Sequence, residues 1–285
     1  MISNIIDGKL VATQIKANVA GQVKELKEAG INPALAVIVV GDDPASKVYV
    51  KNKEKACNDT GIVSKMFPMN FSNPQVGQEK LLELIDALNK DSEINGILCQ
   101  LPLPEGYNEK LITEAILPVK DVDAFNSCNI GRIMRGDYSM LPCTPAGIME
   151  MLKYYDISVE GKECVVVGRS NIVGKPMAMM LLNKNGTVTV THSKTINLKE
   201  QCKKADILVA AVGIPKFITT DMIKDGAVVI DVGINHVDGK LCGDVDFENV
   251  KDKCSFITPV PGGVGPMTVA MLMQNTVKAA KLQNA

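Results

Sequence analysis

The chain has 285 residues, 46% of them hydrophobic, and a formal net charge of -1. That length suits about two domains with a large buried core, and the balanced charge, with no long Lys/Arg block, leaves no electrostatic footprint for nucleic acid. Small molecules are the expected ligands. No run of about 18 uninterrupted apolar residues occurs, which excludes a membrane-spanning helix.

Eight cysteines, at 57, 99, 128, 143, 164, 202, 242 and 254, form no CxxC pair and no close Cys/His cluster of zinc spacing, so no metal site is expected. Several fall in apolar patterns, as buried free thiols do, which points to a reducing cytoplasm rather than a disulfide framework. The opening MISNIIDGKLVATQIK lacks the charged start and long apolar stretch of an export signal.

In chain order, Ile15, Val19, Val23 and Leu26 recur at helical spacing over 10–29, and Gly30 follows as a helix terminator. The β-branched run 34–40 reads as a buried strand ending at Gly41. Asp43-Pro44 then signals the start of a helix to Thr60. A strand at 62–66, a helix at 75–89 and a strand at 96–100 continue the alternation, which predicts βαβ units and a mostly parallel sheet. Thr144-Pro145 caps a helix to Tyr155. Strands at 164–167, 187–190, 207–211 and 227–232 follow, alternating with shorter helices, and a helix rich in Ala, Met and Leu closes the chain over 267–281. The pattern predicts two α/β domains sharing an interface with a cleft between them, 1–143 and a Rossmann-like domain at 144–266.

The segment 165–176, VVVGRSNIVGKP, is a buried-strand run ending in Gly168, followed by a glycine-bounded loop and an apolar helix. Glycine takes the tight turn without a Cβ penalty, and the first amides of the helix, near 174–178, are expected to offer unpaired donors to a dinucleotide phosphate. Arg169 and Ser170 add a charge and a hydroxyl. Five residues separate Gly168 from Gly174, so the GxGxxG fingerprint is absent. An NAD site usually carries a carboxylate about 20 residues further on, for the ribose 2′-hydroxyl. Here the next strand runs into Thr191-His192-Ser193-Lys194-Thr195, which has donors and no carboxylate. NADP is the better match, with Ser193 and Lys194 available to a 2′-phosphate; a solvated polar turn is the bland alternative.

Tyr49 and Lys53 stand at i and i+4 on one helix face, a pattern that by itself more often marks a half-buried ring beside a solvated lysine. Gln100 ends an apolar strand, where α/β folds place ligand groups, or it simply caps the Leu-Pro-Leu-Pro loop after it. Lys120-Asp121-Val122-Asp123 puts two carboxylates in a loop, where Asp often only braces a turn. TPVPGGVGPMT (258–268) is stiffened by prolines while its glycines admit close backbone approach; it reads equally as a ligand loop or a rigid connector. His192 and His236, the only histidines, both fall in the second domain, away from Tyr49 and Lys53.

Together, VGDDPASKVYVKNKEKAC (40–57), QLPLP (100–104), KDVDAFN (120–126), GRSNIVGKP (168–176), THSKT (191–195) and TPVPGGVGPMT resemble the bifunctional methylenetetrahydrofolate dehydrogenase/cyclohydrolase family, in that family's order and over nearly the whole chain. The resemblance implies oxidation of 5,10-methylenetetrahydrofolate with NADP, then hydrolysis of the methenyl product to 10-formyltetrahydrofolate, by a homodimer. It also implies that the C-terminal helix 267–285 returns to the first domain. It implies that Tyr49 stacks on the folate rings, that Lys53 moves protons and activates water, that Gln100 orients Lys53 and that Asp123 binds the pterin. Pro261 and Gly262 match folate contacts; Gly168, Arg169, Ser170, Ser193 and Ile234 match NADP contacts, with Gly213 ending a strand of the same domain. A lysine acting as base near neutrality needs its pKa of about 10.4 lowered. Ala124 departs from the family's usual Gly after DVD, which bears on the loop beside Asp123. Three alternatives stand beside this reading: an NADP-dependent dehydrogenase of an amino acid or hydroxy acid, which would not account for QLPLP and PGGVGPMT together, a dehydrogenase-only relative, and a nucleotide-binding protein without catalysis.

Overall fold

A computed structural model describes residues 4–285, apart from the side chains of 44–48. The chain divides into two compact units, one of Thr13–Cys143 with Val269–Ala285, the other of Thr144–Thr268 with the N-terminal residues through Ala12.

In the first unit a fully buried strand β1 (Ala34–Val40) lies between β2 (Val63–Met69) and β3 (Gly96–Cys99), all parallel. A central strand covered on both faces explains its unbroken aliphatic run, which does not alternate. Helices α1 (Gly8–Glu28), α2 (Pro44–Thr60) and α3 (Pro74–Lys90) occupy the segments that periodicity predicts, within a few residues at their ends. Ala36, Ile38 and Val40 pack in one core with Leu81 and Ile85 of α3 and Ile97 of β3. Two short helices have no legible periodicity, α4 (Glu109–Ala115) and α5 (Ser127–Met134), and the side chains of Asn108 and Asn126 cap them by accepting from Leu111 and Cys128 N–H. Seven or eight residues are too few for a 3.6-residue period to show, and tertiary contacts must sustain them.

The second unit carries α6 (Cys143–Tyr154), β4 (Glu163–Val167), α7 (Gly174–Leu182), β5 (Thr187–Thr191), α8 (Leu198–Cys202), β6 (Ile207–Ala210) and β7 (Val228–Asp231). A hairpin of β8 (Asn235–Val237) and β9 (Lys240–Cys242) follows, then α9 (Phe247–Val250), β10 (Phe256–Ile257) and α10 (Val264–Gln283). Its five-stranded parallel sheet has the order β10-β7-β6-β4-β5. The chain steps outward from β4 to β5 and then returns to the far side of β4 as β6, so the order reverses between β4 and β6. In open α/β sheets that switch point, at the carboxyl ends of the strands, is where ligands bind. Residues 4–6 run alongside β10, with Ile6 N–H donating to Ile257 O at 2.8 Å and Ile257 N–H to Asn4 O at 2.9 Å.

The final helix begins at Val264, three residues before the predicted start. From Val269 onward it belongs to the first unit, where the Asn275 amide donates to the Val122 and Leu141 carbonyls, each at 2.8 Å. Among the described residues no helix is long and apolar enough to cross a membrane.

Candidate active site

In the first unit, α2 carries Tyr49 one turn before Lys53, and Lys53 is 9% exposed. Its ammonium donates to Gln100 Oε1 at 2.8 Å. Gln100 follows directly on β3, its N–H donating to Ile38 O at 2.9 Å, so its position is set by the sheet. Its own Nε2 donates to Leu101 O at 2.6 Å, which fixes which amide end faces the lysine. Burial pushes the Tyr49 phenol up.

The two carboxylates of the KDVD loop have separate environments. Asp121 is 2% exposed and accepts from Asn126 N–H at 2.8 Å and Asn129 Nδ2 at 3.0 Å; burial raises its pKa to about 6 despite these bonds. It braces the turn. Lys120 buries its ammonium against the Leu88 and Asp91 carbonyls, at 2.9 and 2.7 Å, and ties the loop to the C-terminal end of α3. Asp123 is half-buried and raised above the ordinary carboxylate range by burial, with the Lys53 ammonium and the Cys143 thiol pulling it back. The structure therefore brings Tyr49, Lys53, Gln100 and Asp123 into one unit and sets Lys53 electrostatically against Asp123.

Ala124, the departure from the family pattern, has φ +57° and is fully buried, with its N–H on Asp121 O at 3.1 Å. A left-handed position suits glycine, which accounts for the residue the family prefers; here alanine adopts the same conformation.

Two neighbours of this cluster escape sequence reading. Cys143 Sγ lies 3.4 Å from Val122 O and hydrogen-bonds Asp123, and Asn275 Nδ2 lies 3.6 Å from the same sulfur. A single asparagine in the apolar run MLMQNTV is the only trace of this in the sequence, since a buried amide needs partners.

In the second unit, Gly168 has φ +128°, and a Cβ there would fall 2.2 Å from Ala211 O; a Cβ on Gly174 would fall 2.3 Å from Gly168 O. Backbone meets backbone at both positions, so the loop closes as drawn only with glycine. One expectation needs correction. The amides opening α7 are not unpaired: Val173 and Gly174 N–H both donate to Ser170 Oγ at 3.2 Å, Lys175 N–H donates to Ser170 O at 3.0 Å, and residue 176 is proline. Val173, the N-cap, offers no side-chain acceptor, and Ser170 reaches forward from three residues earlier to take its place.

Arg169 and Ser193 are exposed in the loops that follow β4 and β5, and Gly213 and Ile234 are exposed in those that follow β6 and β7. Pro261, exposed, and Gly262, buried with φ +111°, lie in the loop before α10, where Lys9 N–H donates to Gly262 O at 3.1 Å. These two belong to a different unit from Lys53 and Asp123. The donor set suits a phosphorylated dinucleotide: Arg169 and Lys194 supply cationic groups beside the switch point, and no carboxylate occurs between 191 and 195.

A parallel sheet whose strand order reverses beside Gly168, in one chain with a second α/β unit whose lysine is held by an amide and within electrostatic reach of a carboxylate, defines a two-domain, dinucleotide-dependent enzyme. Family models match both parts: the tetrahydrofolate dehydrogenase/cyclohydrolase catalytic domain over residues 6–123, and the NAD(P)-binding domain of the same family over 142–284. The bifunctional protein FolD of Acetivibrio thermocellus is 58% identical, over 99% of both chains. The crystal structure of the bifunctional FolD enzyme from Campylobacter jejuni is similar at a TM-score of 0.95, with 50% identity over 98% of each chain. That of the Trypanosoma brucei enzyme, complexed with NADP cofactor and inhibitor, has a TM-score of 0.92 with 35% identity over 98% of each. The chain belongs to the tetrahydrofolate dehydrogenase/cyclohydrolase family.

Proposed function

We propose that the chain oxidises 5,10-methylenetetrahydrofolate to the 5,10-methenyl form and then hydrolyses that product to 10-formyltetrahydrofolate. The observation that carries this reading is the oriented Lys53–Gln100 pair beside Asp123. NADP, when bound, supplies the hydride acceptor. Hydride departs from a carbon flanked by two nitrogens whose lone pairs stabilise the cation left behind, so this step asks the protein chiefly for alignment. Tyr49 serves that alignment by stacking on the folate rings, and Asp123 by hydrogen-bonding the pterin; Pro261 and Gly262 complete the folate contacts. Gly168, Arg169, Ser170, Ser193, Gly213 and Ile234 hold the cofactor.

Hydrolysis is different, because protons must move. Water adds through oxygen to the cationic carbon and gives one proton to Lys53 in its neutral amine form, which passes it to the departing nitrogen as the ring C–N bond breaks, while the remaining hydroxyl proton leaves to solvent as the formyl carbonyl forms. Gln100 accepts one N–H of the lysine and so aims Nζ.

The same reading makes the protein a homodimer of the cytoplasm. All eight cysteines are free and six are buried, which suits a reducing compartment. Sedimentation of the purified chain at a monomer's mass would end the dimer part of the proposal.

Absorbance-monitored turnover of 5,10-methylenetetrahydrofolate, following reduced cofactor and methenyl product separately, tests the chemistry. Wild type should reduce NADP without accumulating methenyl product, and Lys53→Met should lose hydrolysis by about a hundredfold or more. Absence of folate-dependent reduction with either nicotinamide cofactor would sink the assignment.

A further inference from the structure

The second unit contains a carboxylate to which the reading above gives no role. Asp244, which follows β9 closely, is 0% exposed. Its Oδ2 accepts from the backbone N–H groups of Val212 at 2.7 Å and Gly213 at 2.9 Å, and its Oδ1 accepts from Asn235 Nδ2 at 2.9 Å. Asp244 is itself clamped, since its N–H donates to Asp231 Oδ1 at 2.9 Å and its carbonyl accepts from Ile218 N–H at 2.9 Å. Space is closed around the pair: a Cβ on Gly233 would sit 2.2 Å from Asp244 Oδ1, and one on Gly243 would sit 1.8 Å from Asp231 Oδ2.

The partners of this one carboxylate belong to the segments that follow β6 and β7, next to the switch point. Val212 and Gly213 follow Ala211, the first residue past β6, whose carbonyl already lies against Gly168. With its N–H turned inward to Asp244, Gly213 takes φ +68° and stays exposed on its other side. Asn235 is the residue after Ile234, which is 42% exposed. A charged acceptor buried among three donors is costly to disturb, because removing its charge leaves donors facing nothing or facing one another. Asp244 therefore joins the two strand-end loops into one rigid edge.

We propose that Asp244 is a positioning residue for the dinucleotide, setting where Gly213 and Ile234 meet NADP while touching neither cofactor nor folate. The proposal rests on the assignment of those two residues to the cofactor. The two activities offer a clean separation, since hydrolysis of 5,10-methenyltetrahydrofolate can be measured without NADP.

The experiment compares wild type, Asp244→Asn, Asn235→Ala and Ile234→Ala for dehydrogenase kcat, for KM toward NADP and for NADP-free hydrolysis. Asp244→Asn turns one acceptor oxygen into a donor among donors, and its NADP KM should rise about tenfold or more while kcat changes little and hydrolysis matches wild type. An unchanged KM in folded Asp244→Asn overturns the proposal. A parallel fall of both activities also overturns it, in favour of a general structural role. Should Asp244→Asn not fold, Asn235→Ala decides: a raised NADP KM sustains the proposal and an unchanged one defeats it. An unchanged KM in Ile234→Ala alone instead removes Ile234 from the cofactor contacts.

Discussion

The Lys53 ammonium donates to Gln100 Oε1 at 2.8 Å, and the same glutamine commits its Nε2 to Leu101 O at 2.6 Å. The amide therefore cannot flip without losing both bonds, and its oxygen is dedicated to the lysine. Gln100→Glu changes this at one atom pair: a carboxylate keeps Lys53 charged and sets an acceptor against the Leu101 carbonyl. Hydrolysis of the methenyl substrate should fall by about tenfold to a hundredfold, with the KM for NADP unchanged. Equal loss of NADP affinity would show that Gln100 acts on the fold instead of on Lys53.

Arg169 is exposed directly after Gly168, and no carboxylate stands on the loop after β5. Arg169→Ala should raise the KM for NADP by about tenfold or more and leave the KM for NAD nearly unchanged, because only NADP carries the 2′-phosphate. Steady-state kinetics with both cofactors measures this. A matched rise for the two would place Arg169 on the shared pyrophosphate or on neither.

Ala124 occupies a left-handed position at φ +57° and is fully buried. Ala124→Gly relieves about 1 kcal/mol of backbone strain and forfeits a similar amount in methyl burial and chain entropy, so urea midpoints should barely move. Ala124→Val should cost more than about 2 kcal/mol, since a β-branched residue is disfavoured there and the site has no spare room. A tolerated valine would mean that the KDVD loop has shifted.

Asp231 is 2% exposed, and burial raises its pKa to about 6 although Gly233, Asp244 and Val245 N–H groups all donate to it. A carboxyl whose folded pKa stands above its ordinary value is bound to its proton more tightly when folded. Its stabilising contribution is complete below about pH 4 and is lost as pH rises through about 6. Relative to Asp231→Asn, wild type should therefore lose on the order of 1–3 kcal/mol between pH 4 and pH 7, read as the change in the difference of their urea midpoints. A wild type that gained stability relative to Asp231→Asn as pH rises would contradict the assignment of burial as the dominant influence.

Much of the architecture is legible in the chain because each long element states its own pattern. The aliphatic run of β1, the glycine after it and the 3.6-residue spacing of α1 and α3 depend on local burial, which repeats along the sequence. The β8–β9 hairpin was equally available, since Asp238-Gly239 supplies two residues at φ +50° and +74° between short strands, the signature of a tight hairpin turn. It went unread. Of the candidate site, the Gly168–Gly174 loop shows through its spacing along the chain, whereas the Tyr49/Lys53 spacing alone reads as a half-buried ring beside a solvated lysine and takes its candidate role from the family resemblance.

The candidate cast, Lys53, Gln100, Asp123 and the glycine-bounded loop, is nameable from the sequence, because the residue types and their helical or strand-end positions are local properties and the motifs that carry the family resemblance contain them. The tertiary structure decided the partnerships: Gln100 with Lys53 across 47 residues, Asn275 with Val122 across 153, and Asp244 with Val212 across 32. It also decided that Ser170 takes up the amides at the start of α7. Buried polar groups must find partners wherever the fold brings donors and acceptors together, and that requirement has no period along the chain.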